Sequence, residues 1–174
     1  MKRFFFDAAA GLALCCLIVS CGYTQKTTLP KDIKSIHIDT VINSIPVQEV
    51  YAYQAGLEMD ITQAIIQQVQ EDGNLKVAEK ENADAILESH LVGFEQGGVR
   101  FNQLERVEEF RLYVILALRL IDGNTGETIW EEPSFSGDAE YFVSGVRSTA
   151  REEASRRAID RLARNVVDRI VEDW

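Results

Sequence analysis

The chain has 174 residues, 46% of them hydrophobic and 26% charged, with 18 basic against 28 acidic side chains for a net charge of −10. That hydrophobic content fits a globular domain and excludes a disordered tail. The acid excess excludes nucleic acid as a partner, because nucleic acid needs a basic face.

Taken in order, the chain opens on a positive pair, Lys2 and Arg3, followed by an apolar run from Ala8 to Val19. This is the pattern of a secretory signal peptide, and the run is too short for a spanning helix, which needs ~20 apolar residues. Ile18-Val19-Ser20-Cys21 resembles the lipobox of bacterial lipoproteins. The resemblance implies cleavage before Cys21, a diacylglycerol on its thiol and acylation of the new amino terminus. Each buried methylene contributes ~0.8 kcal/mol and stable anchoring needs more than one chain, so three acyl chains would hold the domain on a membrane. An ordinary secreted protein with a chance cysteine is the other reading. The expected organisation is a signal over 1–20, a lipidated tether over 21–32, polar and stopped by Pro30, and one domain over 33–174. Removing the signal leaves 16 basic and 27 acidic residues, a charge of −11. Cys15 and Cys16 leave with it and Cys21 is lipidated, so the mature domain has no disulfide framework and no Cys metal ligand.

Ile33 to Ile42 reads as a strand, with Ile36 and Ile38 alternating against Ser35, His37 and Asp39. Residues 43–53 read as a loop around Pro46. Ala55 to Glu71 reads as a helix whose apolar stripe is Leu57, Ile61, Ala64, Ile65 and Val69, stopped at Asp72-Gly73. A short strand over Leu75–Ala78 and a charged turn over Glu79–Ala83 follow. Asp84 to Phe94 reads as a longer strand ended by Gly97-Gly98, with a loop or hairpin tip over Val99–Glu105.

Glu109 to Ile121 is the best-marked strand. Phe110, Leu112, Val114, Leu116, Leu118 and Leu120 form a core face, and Arg111, Tyr113, Ile115, Ala117 and Arg119 a mixed one. A turn over Asp122–Gly126 leads to a return over Thr128–Glu131 and Ser134–Asp138, broken at Pro133, which places it at an edge or at a bulge. Ser148 to Asp173 reads as a long helix capped at Ser148 or Thr149, with Glu152 and Glu153 in its first turn and i, i+4 pairs Glu152–Arg156, Glu153–Arg157 and Asp160–Arg164. The expected fold class is α+β: a two-layer sandwich with two helices on one face of a four- to five-stranded mixed sheet, in the order β-α-β-β-β-β-α.

No catalytic constellation stands out, so an enzyme, a metal site and a cofactor are not expected. His37 and His90 sit on strands without a carboxylate or cysteine at ligand spacing. Ser136-Gly137 and Ser144-Gly145 lack the nucleophile elbow, and no Lys-Ser/Thr follows Gly97-Gly98. Trp130 and Trp174 read as packing residues. Arg100, Arg106, Arg111 and Arg119, interleaved with Phe101, Tyr113 and Ile115, form the candidate contact set. Guanidinium suits bidentate phosphate contact, so these residues could touch phosphorylated lipid headgroups, or they could neutralise Glu105, Glu108 and Glu109.

An ordered set of residues resembles the LptE-type lipopolysaccharide-assembly lipoproteins: Cys21-Gly22-Tyr23, Leu29-Pro30, Gly56-Leu57-Glu58, Thr62 with Ala64, Asp72-Gly73, Ala83-Asp84-Ala85-Ile86-Leu87, Gly126-Glu127, Trp130-Glu131, Phe135-Ser136-Gly137, Tyr141-Phe142, and the last helix from Glu153-Ala154 to Trp174. The resemblance implies a non-enzymatic lipoprotein, anchored at Cys21 on the periplasmic side of the outer membrane. It would plug an LptD-type β-barrel and help insert lipopolysaccharide into the outer leaflet. It also implies contact with lipopolysaccharide through basic residues in some members, whereas this chain is acidic. A lipoprotein activator of cell-wall synthesis or an assembly pilotin is the alternative, and a periplasmic hydrolase lacks its catalytic set.

Overall fold

The structure, a computed structural model, describes residues 33–46, 55–142 and 147–172. The signal segment, Cys21, the tether, most of the expected 43–53 loop and Trp174 lie outside the described residues. The elements are β1 (Ser35–Ile38), β2 (Ile42–Asn43), α1 (Leu57–Asp72), β3 (Lys76–Val77), a 3₁₀ turn (Lys80–Asn82), β4 (Ala85–Phe101), β5 (Val107–Asp122), β6 (Thr128–Phe142) and α2 (Arg147–Glu172). They form one mixed sheet in the order β3-β1-β4-β5-β6, with β2 also on β4. β1 runs parallel to both β3 and β4, and β4-β5-β6 is an antiparallel meander. The expected α+β fold and its element order hold, with one more strand than expected.

One face of the sheet is dry. Ile36 and Ile38, Leu87 and Leu91, Leu112 to Leu120 at alternate positions, and Ala139 and Tyr141 are all buried, together with the stripes Leu57–Ile61–Ile65–Val69 of α1 and Ala158–Leu162–Val166–Ile170 of α2. Each stripe has the three-to-four spacing of one helical face, so both helices settle on the same side. Phe110, expected in this core, is only half-buried and stacks on Tyr141 with ring centroids 5.6 Å apart.

Four local readings change. The first strand breaks after Ile38 because the chain turns in toward α1: Val41 N–H donates to Thr62 Oγ1 at 3.0 Å, and that hydroxyl donates to Glu58 O at 2.6 Å. Gly97-Gly98 does not end β4, which runs on to Phe101 paired with Arg111, Phe110 and Val107 across the hairpin. Pro133 does not divide β6. A bulge opposite Ala117, between the Leu118–Glu132 and Leu116–Phe135 pairs, absorbs it on the edge strand. In α2, helix begins at Arg147, so Ser148 and Thr149 lie inside it and Glu152 and Glu153 fall beyond its first turn; Glu153 takes both Arg156 and Arg157.

Two contacts set the layers. Gly137 on β6 lies under α2 so closely that a Cβ there would sit 2.4 Å from Ala158 O and 2.5 Å from Leu162 N. Asp84, at the foot of β4, ties in β1: its Oδ2 accepts from Lys34 N at 2.9 Å, Ser35 N at 3.0 Å and Ser35 Oγ at 2.8 Å. Those donors hold its carboxyl below the usual carboxylate range, the Lys34 N–H contributing most. At the end of α1, Gly73 takes φ 76° and its N–H bonds Val69 O, the left-handed stop expected from its sequence.

Replacing Gly137 by Ala forces α2 off the sheet or strains it. The expected cost is about 3 kcal/mol, the upper end for overpacking, or a fall in Tm of roughly 10 °C for a domain of this size, read by circular dichroism on the purified chain. Asp84 sets a pH dependence. A carboxyl whose folded pKa lies below its unfolded value of about 3.9 stabilises the fold above that value and loses this effect as pH falls through the folded pKa. The Tm deficit of Asp84→Ala is therefore largest near neutral pH and shrinks below pH ~4; a deficit unchanged down to strong acid counts against the carboxylate as the tie.

Candidate functional site

The face of the sheet away from the helices carries the candidate residues. On β5 the odd positions from Glu109 to Ile121 point to it, because every even position from Leu112 to Leu120 is buried beneath the helices. Register then sets their neighbours. Arg119 lies between Glu88 of β4 and Glu131 of β6, Tyr113 between Glu95 and Asp138, Arg111 between Gly97 and Glu140, and Glu109 between Arg100 and Phe142. Ile115 and Ala117, both half-buried, separate the charged rows.

The structure therefore gathers Arg100, Arg111, Tyr113 and Arg119 on one face and sets each arginine against a carboxylate. Arg119 Nε donates to Glu88 Oε2 at 3.0 Å, and its Nη2 pairs with the same oxygen. Arg111 Nε donates to Glu140 Oε1 at 2.9 Å, with Asp138, also on β6, 3.7 Å away. The Glu140 hydrogen bond, then one to Tyr113, raises the already high pKa of Arg111. Arg100 lies 3.4 Å from Glu109 and 5.6 Å from the centroid of the Phe142 ring. Arg106 stands apart in the exposed hairpin tip, where Asn102 Oδ1 accepts from its backbone N–H at 3.1 Å and its carbonyl accepts from Asn102 N–H at 2.9 Å. Of the carboxylates expected near this set, Glu109 is a partner. The others, Glu88, Asp138 and Glu140, come from strands distant in sequence, and only the register brings them in. Sequence reasoning also passed over the apolar tip, where Val99, Phe101, Leu104 and Phe142 are all exposed.

The histidines have local partners: His37 Nδ1 lies 2.9 Å from Ala78 O and its Nε2 3.3 Å from Asp39, while His90 Nδ1 lies 3.1 Å from Ser44 Oγ. Trp130 packs against the core beneath Arg169, whose guanidinium carbon is 5.1 Å from the ring centroid. Among the described residues no group of three or more His, Cys, Asp or Glu side chains could hold a metal ion, and no helix is long and apolar enough to cross a membrane. What the face offers chemically is a broad surface of laterally paired arginines, outnumbered six to three by carboxylates, with Tyr and aliphatic rungs. That is the make-up of a docking surface, where Tyr and Arg are enriched.

Known structures share this fold. A protein from Xanthomonas campestris superposes with a TM-score of 0.59 at 12% identity, over 84% of this chain and 91% of its own. Lipoprotein B from Nitrosomonas europaea gives 0.51 at 16% identity, over 80% and 84%. A minor lipoprotein from Acinetobacter baumannii gives 0.51 at 13% identity, over 79% and 92%. At such identities the likeness speaks for the fold alone. No curated protein matches the chain in sequence. The family model for lipopolysaccharide assembly, LptE, matches residues 33–173, which is the whole described domain, and the chain belongs to that family.

Proposed function

We propose that this chain is a lipid-anchored outer-membrane protein, held through Cys21 on the periplasmic side, that plugs and assists a β-barrel translocon inserting lipopolysaccharide into the outer leaflet. Membership of the lipopolysaccharide-assembly family supports the process. The observation that carries the plug is the open sheet face. Its arginines are satisfied sideways by Glu88, Glu109, Asp138 and Glu140, and Tyr113, Ile115 and Ala117 are half-buried between them. Such a face is too apolar for open water and too charged for a core. A barrel lumen, which is polar and water-lined, accepts it. The same pairing argues against a ready phosphate site here: to hold a lipopolysaccharide phosphate, Arg100, Arg111 or Arg119 would have to leave a carboxylate. Among the described residues no carboxylate forms an ion pair with Arg106 in the tip.

Photo-crosslinkers placed at Tyr113 and at Arg119 in living cells are expected each to capture one outer-membrane barrel protein, identified by mass spectrometry. If positions on the polar faces of α1 and α2 capture the barrel and these two do not, the helices make the contact and the sheet faces elsewhere. Capture of no barrel from any position defeats the plug.

A further inference from the structure

The acid excess of the open face has a location. Six carboxylates stand there against three arginines. Glu88 holds Arg119, Glu109 holds Arg100 and Glu140 holds Arg111, while Asp138 also takes Arg161, which reaches round from α2 to 3.1 Å. Glu95 and Glu131 remain, and among the described residues neither forms an ion pair. Arg119 lies directly opposite Glu131, yet its Nε and Nη2 both turn to Glu88 on the other strand.

Beside Glu131 the sheet is hollowed. Leu118 pairs with Glu132 and Leu116 with Phe135, so Pro133 and Ser134 both stand against Ala117. Two residues against one bend the strand. Pro133 supplies no N–H to close the gap, and Ala117 puts only a methyl beneath it. The result is a cavity of about 330 Å³ lined by Ala117, His90, Pro133, Glu131 and Glu132, with the Glu88–Arg119 pair alongside. Glu132, like Glu131, forms no ion pair among the described residues.

The lining selects its occupant. A methyl, an imidazole and a pyrrolidine ring offer apolar contact, and two carboxylates without partners need a cation. An apolar side chain would strip water from both carboxylates and give nothing in return, which is costly. Lysine and arginine combine an aliphatic stem, which packs on apolar surface, with a charged head.

From the hollow and its two unpaired carboxylates we infer that the β6 bulge is a socket for one lysine or arginine side chain projecting from the wall of the barrel partner. The inference rests on the plug reading above and names what the barrel carries opposite Ala117. The stem lies over Ala117 and Pro133, and the head meets Glu131 and Glu132. Glu95, equally bare but without a hollow, is no part of the socket.

The test pulls the tagged full-length chain from detergent-solubilised outer membrane and quantifies the barrel protein that comes with it. Glu131→Lys lowers the recovered barrel about tenfold or more, the scale of a close charge pair. Glu95→Lys, the same charge change on the same face, lowers it less than about threefold. Ala117→Leu fills the hollow, alters no charge and also lowers recovery. A photo-crosslinker at Ser136, exposed on the open face beside the bulge, joins the barrel next to a lysine or arginine. Reversing that cation to glutamate restores recovery with Glu131→Lys to within about threefold. Circular dichroism of each variant separates a folding defect from lost docking. If Tyr113 and Arg119 still crosslink the barrel while recovery is indifferent to Glu131→Lys, the socket is overturned and the plug stands. Equal losses from Glu95→Lys overturn it as well, because overall charge then explains the effect, and so does a Ser136 crosslink to a stretch without a cation. If Tyr113 and Arg119 capture no barrel, the plug falls and the socket with it.

Discussion

The closeness of α2 to β6 at Gly137 governs the rest of the architecture. A helix backbone this near a strand lets Ala158 and Leu162 meet the sheet directly, and it brings Arg157, Arg161 and Asn165 within reach of β6. One glycine thus sets the height of the helical layer, the depth of the core beneath Leu116 and Leu120, and the closure of one margin. α1 follows: it packs beside α2 and onto β1 and β3, and its Thr62 hydroxyl stops β1 from running on.

With one face sealed beneath the helices, the sheet itself offers a partner its other face and the projecting hairpin. On the open face guanidinium and carboxylate meet across three strands, the arginines exposed or half-buried and Glu109 alone among their carboxylate partners buried. Single pairs of this kind add little stability; they hold each arginine against a carboxylate on a face where six carboxylates stand against three arginines. A docking partner meets a surface whose charges are already arranged and whose desolvation is shared by both signs. Family membership and this surface point the same way.

Much of the fold was legible in the sequence because its periods are unambiguous. The four-residue steps of Leu57, Ile61, Ile65 and Val69, the Gly73 stop and the two-residue steps from Leu112 to Leu120 each describe one element and the face it buries. The misread points are those where the answer depends on a neighbouring strand. Gly97-Gly98 looks like a terminator until Phe110 and Arg111 pair with it, and Pro133 looks like a break until a bulge opposite Ala117 accommodates it. The arginines of the candidate set were legible as a cluster, but their partners were not. Glu88, Asp138 and Glu140 lie 31, 27 and 29 residues from the side chains they meet, distances only sheet register can close.

The Asp84 tie carries a consequence of orientation. It fixes Lys34 and Ser35 at the foot of β4, a strand of 17 residues. At about 3.3 Å per residue that strand spans roughly 55 Å, so the tip around Leu104 stands at the far pole from the point where the chain enters the domain. Whatever holds the segment ahead of Ile33 therefore grips a long lever by its base. A small tilt at the base sweeps the apolar tip through a wide arc, and a structure that confines the tip fixes the bearing of the entire molecule.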